Sequence, residues 1–161
     1  MSVHVRPLEA ADGAWLTGFM TERWGVPIAA GGGRVHRLDA LAGFAAFDGE
    51  HVAGVVTYLI EGDRCEVVSL DAVTEGAGVG TALLEATCTA ARAAGCRRVE
   101  LITTNDNLRA LRFYQRRGFS LTALRPGAVD EARAALKPEI AEVGQHGIPI
   151  RDELVLTRSL W

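Results

Sequence analysis

Between residues 41 and 73 the chain shows three apolar runs, LAGFAAF, HVAGVVTYLIE and RCEVVSLDAV, separated by the pairs Asp48-Gly49 and Gly62-Asp63. Apolar segments broken by such pairs mark tight hairpins, because Gly and Asp tolerate the positive φ that mirror-image turns require. The pattern predicts three antiparallel strands, near 41–47, 51–61 and 64–73. The period then changes. Gly80, Leu83, Leu84, Thr87, Cys88, Ala91 and Ala94 recur every three or four residues, which predicts a helix with a small-residue inner face that stops at Gly95.

The remaining segments follow the same logic. RRVELIT reads as a strand, Asn107 to Arg117 as a helix stopped by Gly118, and FSLTAL as a further strand. Upstream, Leu8, Trp15, Phe19 and Met20 lie at roughly helical intervals, so one or two short helices are expected to end near Gly25, and Gly31-Gly32-Gly33 reads as a flexible loop. A long connection from Pro126 to Pro149 holds one helical pattern, Asp130 to Leu136, and IRDELVLTRSL alternates as the last strand. The order helix, meander, helix, strand, helix, strand, strand implies an α+β fold: a single mixed, mostly antiparallel β-sheet with helices on both faces, formed by residues 1–161 as one domain.

Composition narrows the function. With 48% apolar residues, 23% charged residues and a formal net charge of -3 over 161 residues, the chain reads as an ordinary globular protein, and neither nucleic acid nor membrane is an expected partner. Arg109, Arg112, Arg116 and Arg117 form the one dense basic cluster, at helical spacing, which suits a solvated face or contact with a phosphorylated ligand. Cys65, Cys88 and Cys96 leave at least one thiol unpaired and match no metal spacing, and the first residues do not read as a signal peptide, so no leader is expected. A reducing, cytoplasmic setting and no metal are expected. Cys65 and Cys88 read as inert thiols, Cys88 on the helix's inner stripe and Cys65 beside a turn.

The stretch EGAGVGTALL, residues 75–84, sets three alternating glycines before the helix that follows the meander. Bare backbone at a strand-to-helix junction lets a ligand approach closely and leaves the first helical N–H groups unbonded, which with the helix dipole makes a site for phosphate. Gly76, Ala77, Gly78, Val79, Gly80 and Thr81 are the candidate donors. A P-loop would require Gly-Lys-Ser/Thr, whereas Gly80 is followed by Thr81-Ala82, and a dinucleotide fingerprint would require a third glycine where Thr81 stands.

The same stretch resembles the pyrophosphate-binding loop of the GNAT superfamily of acyl-CoA-dependent N-acyltransferases, Gln/Arg-x-x-Gly-x-Gly/Ala, with Gly78 and Gly80 on its two small positions. Downstream, NLRALRFYQRRGF, residues 107–119, resembles that family's second signature, Asn-x-x-Ala-x-x-Phe-Tyr-x-x-x-Gly-Phe, at every fixed position. The resemblance covers residues 41 to 124, and the first forty residues by element order. One departure is Glu75, where the family has a basic or amide residue; beside a pyrophosphate it is expected to point away.

The resemblance implies acetyl-CoA as co-substrate, lying in a splay between the strands VVSLDAV and RRVELIT, with main chain from Leu70, Asp71, Ala72 and Val73 holding it. Asn107 and Tyr114, two helical turns apart, share a face. Tyr114 is the candidate general acid for the leaving thiolate. Asn107 is a candidate both for ligand contact and for the helix cap. Glu66 is the candidate base for the amine, since several relatives carry a carboxylate there, with Asp71 as a rival and a water chain as the alternative.

The expected reaction is direct transfer of an acetyl group to a primary amine of a small molecule or peptide in a ternary complex. The rival readings are a non-catalytic acyl-CoA-binding module and a nicotinamide-dinucleotide protein. Acceptor choice falls to the N-terminal helices, with Trp15, Phe19 and Trp24, and to the 126–149 connection, which can fold over the site as a lid. Arg151, Asp152 and Glu153 are placed to select a charged acceptor, His36 and His146 stand as further pocket candidates, and a homodimer is left open.

Overall fold

The computed structural model describes residues 2–161. Its strands are β1 (His4–Pro7), β2 (Ile28–Gly31), β3 (Arg34–Arg37), β4 (Ala42–Asp48), β5 (His51–Glu61), β6 (Arg64–Ala72), β7 (Arg98–Thr104), β8 (Ser120–Arg125) and β9 (Glu153–Ser159). Its α-helices are α1 (Gly13–Trp24), α2 (Val79–Ala93), α3 (Leu108–Gln115) and α4 (Ala128–Ala135). Seven strands form one sheet in the order β1-β4-β5-β6-β7-β9-β8, while β2 and β3 pair separately as a hairpin. Every neighbouring pair in the large sheet is antiparallel except β6 and β7. The α+β fold expected from the pattern, a mixed and mostly antiparallel sheet, is the one observed.

Alternation along β5 divides the core. Val55 joins a cluster with Leu16 and Met20 of α1 and with Ala29, Leu38 and Ala45. Val56 faces the other way, into a cluster with Leu83, Leu84, Cys88 and Ala91 of α2. Helices therefore cover both faces, because period-two strands present apolar side chains on each. Leu83, Leu84 and Leu156 are wholly buried in the second cluster, and burial of each contributes about 2 kcal/mol of transfer free energy. Among the described residues, no helix is long and apolar enough to cross a membrane.

One expectation from the pattern needs correction, and one strand was not expected. Residues 31–33 are not a flexible loop: Gly32 and Gly33 form the tip of the β2–β3 hairpin, whose register runs Ile28↔Arg37 to Gly31↔Arg34. Four-residue strands carry too few positions to show a period. β1 was invisible for the same reason, although it pairs with β4 from His4↔Phe47 to Pro7↔Phe44.

One irregularity positions the site. On β6 the register slips, with Thr57 opposite Ser69 but Tyr58 opposite Val67, so Val68 is an inserted residue. Such a bulge bends its strand. The parallel pairing of β6 with β7 runs from Arg64↔Arg98 to Val67↔Leu101 and stops there, although the strands continue to Ala72 and Thr104. Beyond Val67 the two strands part.

Candidate active site

A groove of about 790 Å³ opens at this parting, lined by Leu70, Asp71 and Ala72 of β6, by the 74–81 loop and by α3. The helix that begins there supplies donors. The first helical hydrogen bond of α2 runs from the N–H of Ala82 to the carbonyl of Gly78, so the N–H groups of Val79, Gly80 and Thr81 have no main-chain acceptor. Gly78, the N-cap, has φ 80, a left-handed conformation that L side chains adopt only with strain. Gly80 is needed for a different reason: a Cβ there would stand 3.2 Å from the ring of Phe113 on α3. The alternating glycines thus serve chain direction and helix approach as well as bare backbone.

Charge along the groove is mainly positive. Arg23, Arg109, Arg112, Arg116 and Arg117 all line it, against Asp71 and Glu75. Glu75 does not turn away as expected; it lines the groove and forms an ion pair with Arg109. Arg117 covers the Phe113 ring at 3.7 Å and donates to the Thr81 hydroxyl at 2.8 Å, which pins the start of α2 to α3. Pattern reading missed Arg23 and Gln145, both of which line the groove. Arg23 donates to the carbonyl of Ala72 at 3.1 Å, and Gln145 is held through its N–H by the buried carboxylate of Asp106 at 3.0 Å. Neither position carries a local signal, since both reach the groove through contacts distant in sequence.

The residues expected at a cofactor are only partly assembled here. Val73 and Ala77 lie outside the groove lining; the N–H of Val73 donates to the carbonyl of Ala53, and Ala77 is exposed on the loop. By strand alternation, Leu70 and Ala72 then turn their main-chain groups away from β5 and toward the parting. Asn107 caps α3, its side-chain oxygen accepting from the N–H of Ala110 at 3.1 Å, and it also lines the groove. Tyr114 lines the groove, packed edge-on against Phe113 and Phe119. Burial pushes its phenol well above the ordinary tyrosine value, and the Asp71 carboxylate pushes it further.

A second cavity of about 210 Å³ lies where the parting reaches the β2–β3 hairpin. Glu66, Val68, Ile102, Thr104 and Glu153 line it from the sheet, His36 and Ala30 from the hairpin, and Trp24 from the end of α1. Asn107 borders both spaces. Glu66 is thus not in the groove but in the adjoining cavity, 3.3 Å from Arg64. Asp71 accepts from the Trp24 indole at 3.0 Å and from Arg23 at 3.3 Å, so its carboxylate is already engaged. Trp15 and Phe19 pack in the α1 cluster, which leaves Trp24 as the aromatic at a cavity. Arg151 and Asp152 pair with each other at 3.3 Å, whereas Glu153 turns inward and accepts from the N–H of Gly32. His146, at φ 57 in a short turn, lines neither space. Burial pushes the Cys65 thiol up to about 12 and raises that of Cys88, so neither ionises near neutrality.

Comparison with known proteins agrees with this fold. The model of the Acetyltransferase (GNAT) family matches residues 9–119. The protein YdhI of Bacillus subtilis (strain 168) is 46% identical over 146 residues, 90% of this chain and 91% of that protein. Among solved structures, a Bacillus subtilis acetyltransferase in complex with CoA is similar in fold, with TM-score 0.72 and 19% identity over 99% of this chain and 100% of that one. A GNAT family acetyltransferase from Elizabethkingia anophelis with acetyl-CoA bound has TM-score 0.72 and 17% identity, over 98% and 97% of the two chains.

Proposed function

The chain belongs to the GNAT family of acetyltransferases, and from that premise we propose that it transfers an acetyl group from acetyl-CoA to a primary amine in a ternary complex. The observation that carries this reading is the parting of β6 from β7 beyond Val67↔Leu101, with the large groove and the small cavity on either side of Asn107, which lines both. A thioester lying in that gap is reached by donors from one side and by an acceptor from the other.

The residues present fit such a co-substrate. The unbonded N–H groups of Val79, Gly80 and Thr81 suit a diphosphate, with the helix dipole and the groove's arginines adding favourable charge. Leu70 and Ala72 offer main-chain groups for strand-like pairing along the pantetheine, and Asn107 offers an amide beside it. The amine nitrogen attacks the thioester carbonyl, the carbon–sulfur bond breaks, and the departing thiolate takes a proton from the Tyr114 hydroxyl. Before the attack the substrate ammonium gives one proton to Glu66, directly or through water in the small cavity, which frees the nitrogen lone pair. The second proton lost by the nitrogen as the amide forms restores the Tyr114 phenol, and Glu66 gives up its proton to solvent, so both groups are regenerated.

Free thiol release from acetyl-CoA, measured across amino acids, polyamines, aminoglycosides and lysine peptides, tests the reading. Tyr114→Phe is expected to lower kcat by about a hundredfold with little change in the KM for acetyl-CoA, and Glu66→Gln to lower it by on the order of tenfold to a hundredfold. If neither variant loses more than a few-fold, these proton-transfer roles are wrong. Acetyl-CoA binding with no thiol release for any amine would favour a non-catalytic acyl-CoA-binding module instead.

A further inference from the structure

The small cavity has a charge pattern that its size does not explain. Its lining includes two carboxylates, Glu66 and Glu153, and the imidazole of His36, but no lysine or arginine. Glu66 is 8% exposed and Glu153 only 3%. Their cationic neighbours stand outside the lining and serve them poorly. Arg64, 3.3 Å from Glu66, is shared with Glu61 and Glu100. Arg125, largely in solvent, stops 3.8 Å from Glu153. One oxygen of Glu153 accepts from the N–H of Gly32, and its other oxygen has no hydrogen-bond partner among the described residues. The Nε2 atom of His36 is buried and has no partner either. Each carboxylate has one arginine, at 3.3 Å and 3.8 Å, outside the cavity, none of the residues lining the cavity is a lysine or arginine, and a space bordered by two carboxylates in this way is suited to a cation.

We infer that this cavity selects an acceptor with a second cationic nitrogen, a compact α,ω-diamine type of molecule, whose reacting amine lies at Glu66 and whose distal ammonium is held by Glu153. The inference rests on the acetyltransferase reading. Register sets the spacing: Glu66 stands opposite Glu100 on β7, and Glu153 opposite Thr104. Four residues along one strand and two strand widths across place their Cα atoms on the order of 15 Å apart. After both side chains reach inward, the remaining span suits a few methylenes, and Val68, Ile102 and Trp24 supply apolar walls for them. A cavity of about 210 Å³ has room for such a chain.

The test compares thiol release with the α,ω-diamines of propane, butane and pentane, the matching n-alkylamines and the matching ω-amino acids. At least one diamine is expected to exceed its monoamine in kcat/KM by about tenfold, with the ω-amino acids lowest, because a carboxylate there meets Glu153. Glu153→Gln, which keeps an oxygen for the Gly32 N–H, is expected to collapse the diamine-to-monoamine ratio toward one, chiefly through the diamine's KM. Wild-type monoamines as good as their diamines overturn the inference, and this comparison decides even if the variant does not fold. An unchanged ratio in a folded Glu153→Gln overturns it as well. Failure of the underlying reading looks different: acetyl-CoA then leaves the melting temperature unmoved and no amine releases thiol.

Discussion

Tyr114 shows how an environment changes what a residue type can do. A phenol raised above its usual value by burial and by Asp71 stays protonated through the neutral range and is always ready to donate, although it is a weaker acid than a free one. Any alkaline loss of kcat below about pH 10 is therefore expected to come from another group; a loss centred near about pH 9 that disappears in Tyr114→Phe would show the phenol ionising early. Arg109 makes a second case. It is paired with Glu75 across the groove mouth, so Arg109→Ala removes one cation facing the phosphates and releases one anion there. The KM for acetyl-CoA is expected to rise several-fold with kcat spared, and unchanged kinetics would return Arg109 to the solvated surface. Asp12 bears on stability alone. Its buried carboxylate accepts from Arg6, from the Trp15 indole and from the N–H of Glu9, and the Arg6 guanidinium, ahead of the other donors, holds it well below the usual value of 3.8. A depressed carboxylate stabilises the fold above its unfolded value and loses that contribution as pH falls below it. Asp12→Asn is expected to cost roughly 1–2 kcal/mol at pH 7 and much less near pH 2, read from melting temperatures at each pH.

The elements that were legible in advance are those with a long period or punctuated ends. The meander between residues 41 and 73 showed itself through two Gly-Asp turn pairs, and α2 through seven positions at helical intervals. The hairpin of β2 and β3 was not legible, because its strands are four residues each and its three glycines read as looseness. Nor was the bulge at Val68. It arises from a mismatch between β5 and β6 that no single strand records, yet it follows directly on Val67, where the ladder to β7 ends. Of the site itself, the groove glycines, Asn107 and Tyr114 could be found from two signatures in order, while Arg23, Gln145 and the inward turn of Glu153 depend on contacts between distant elements. The junction of the 74–81 loop with α2 is expected to be sensitive to side chains. Gly78→Ala, at φ 80, should destabilise by about 1 kcal/mol; Gly80→Val, pressed against Phe113, should tilt α2 from α3 and weaken acetyl-CoA binding by tenfold or so in calorimetry. Tight binding by Gly80→Val would show that the two helices can yield.

At the scale of the molecule, the sheet is a frame with one deliberate opening. The wholly buried residues hold it on both faces, and at the opening β6 and β7 share no ladder. Coenzyme A at a hundred times its dissociation constant is expected to stabilise the fold by about 2.7 kcal/mol, with amide exchange slowing first along residues 70–81 and the start of α3. Slowing confined to other segments would place the ligand elsewhere. Asn107 sits where this frame and its opening meet, and one end of its side chain starts α3 while the residue borders both spaces. Architecture and chemistry therefore share a single hinge pin. Asn107→Ser and Asn107→Asp both keep an oxygen that can begin the helix, but the first withdraws the amide from the two spaces and the second sets a negative charge between them, so a change here touches the start of α3 and the lining of both cavities together.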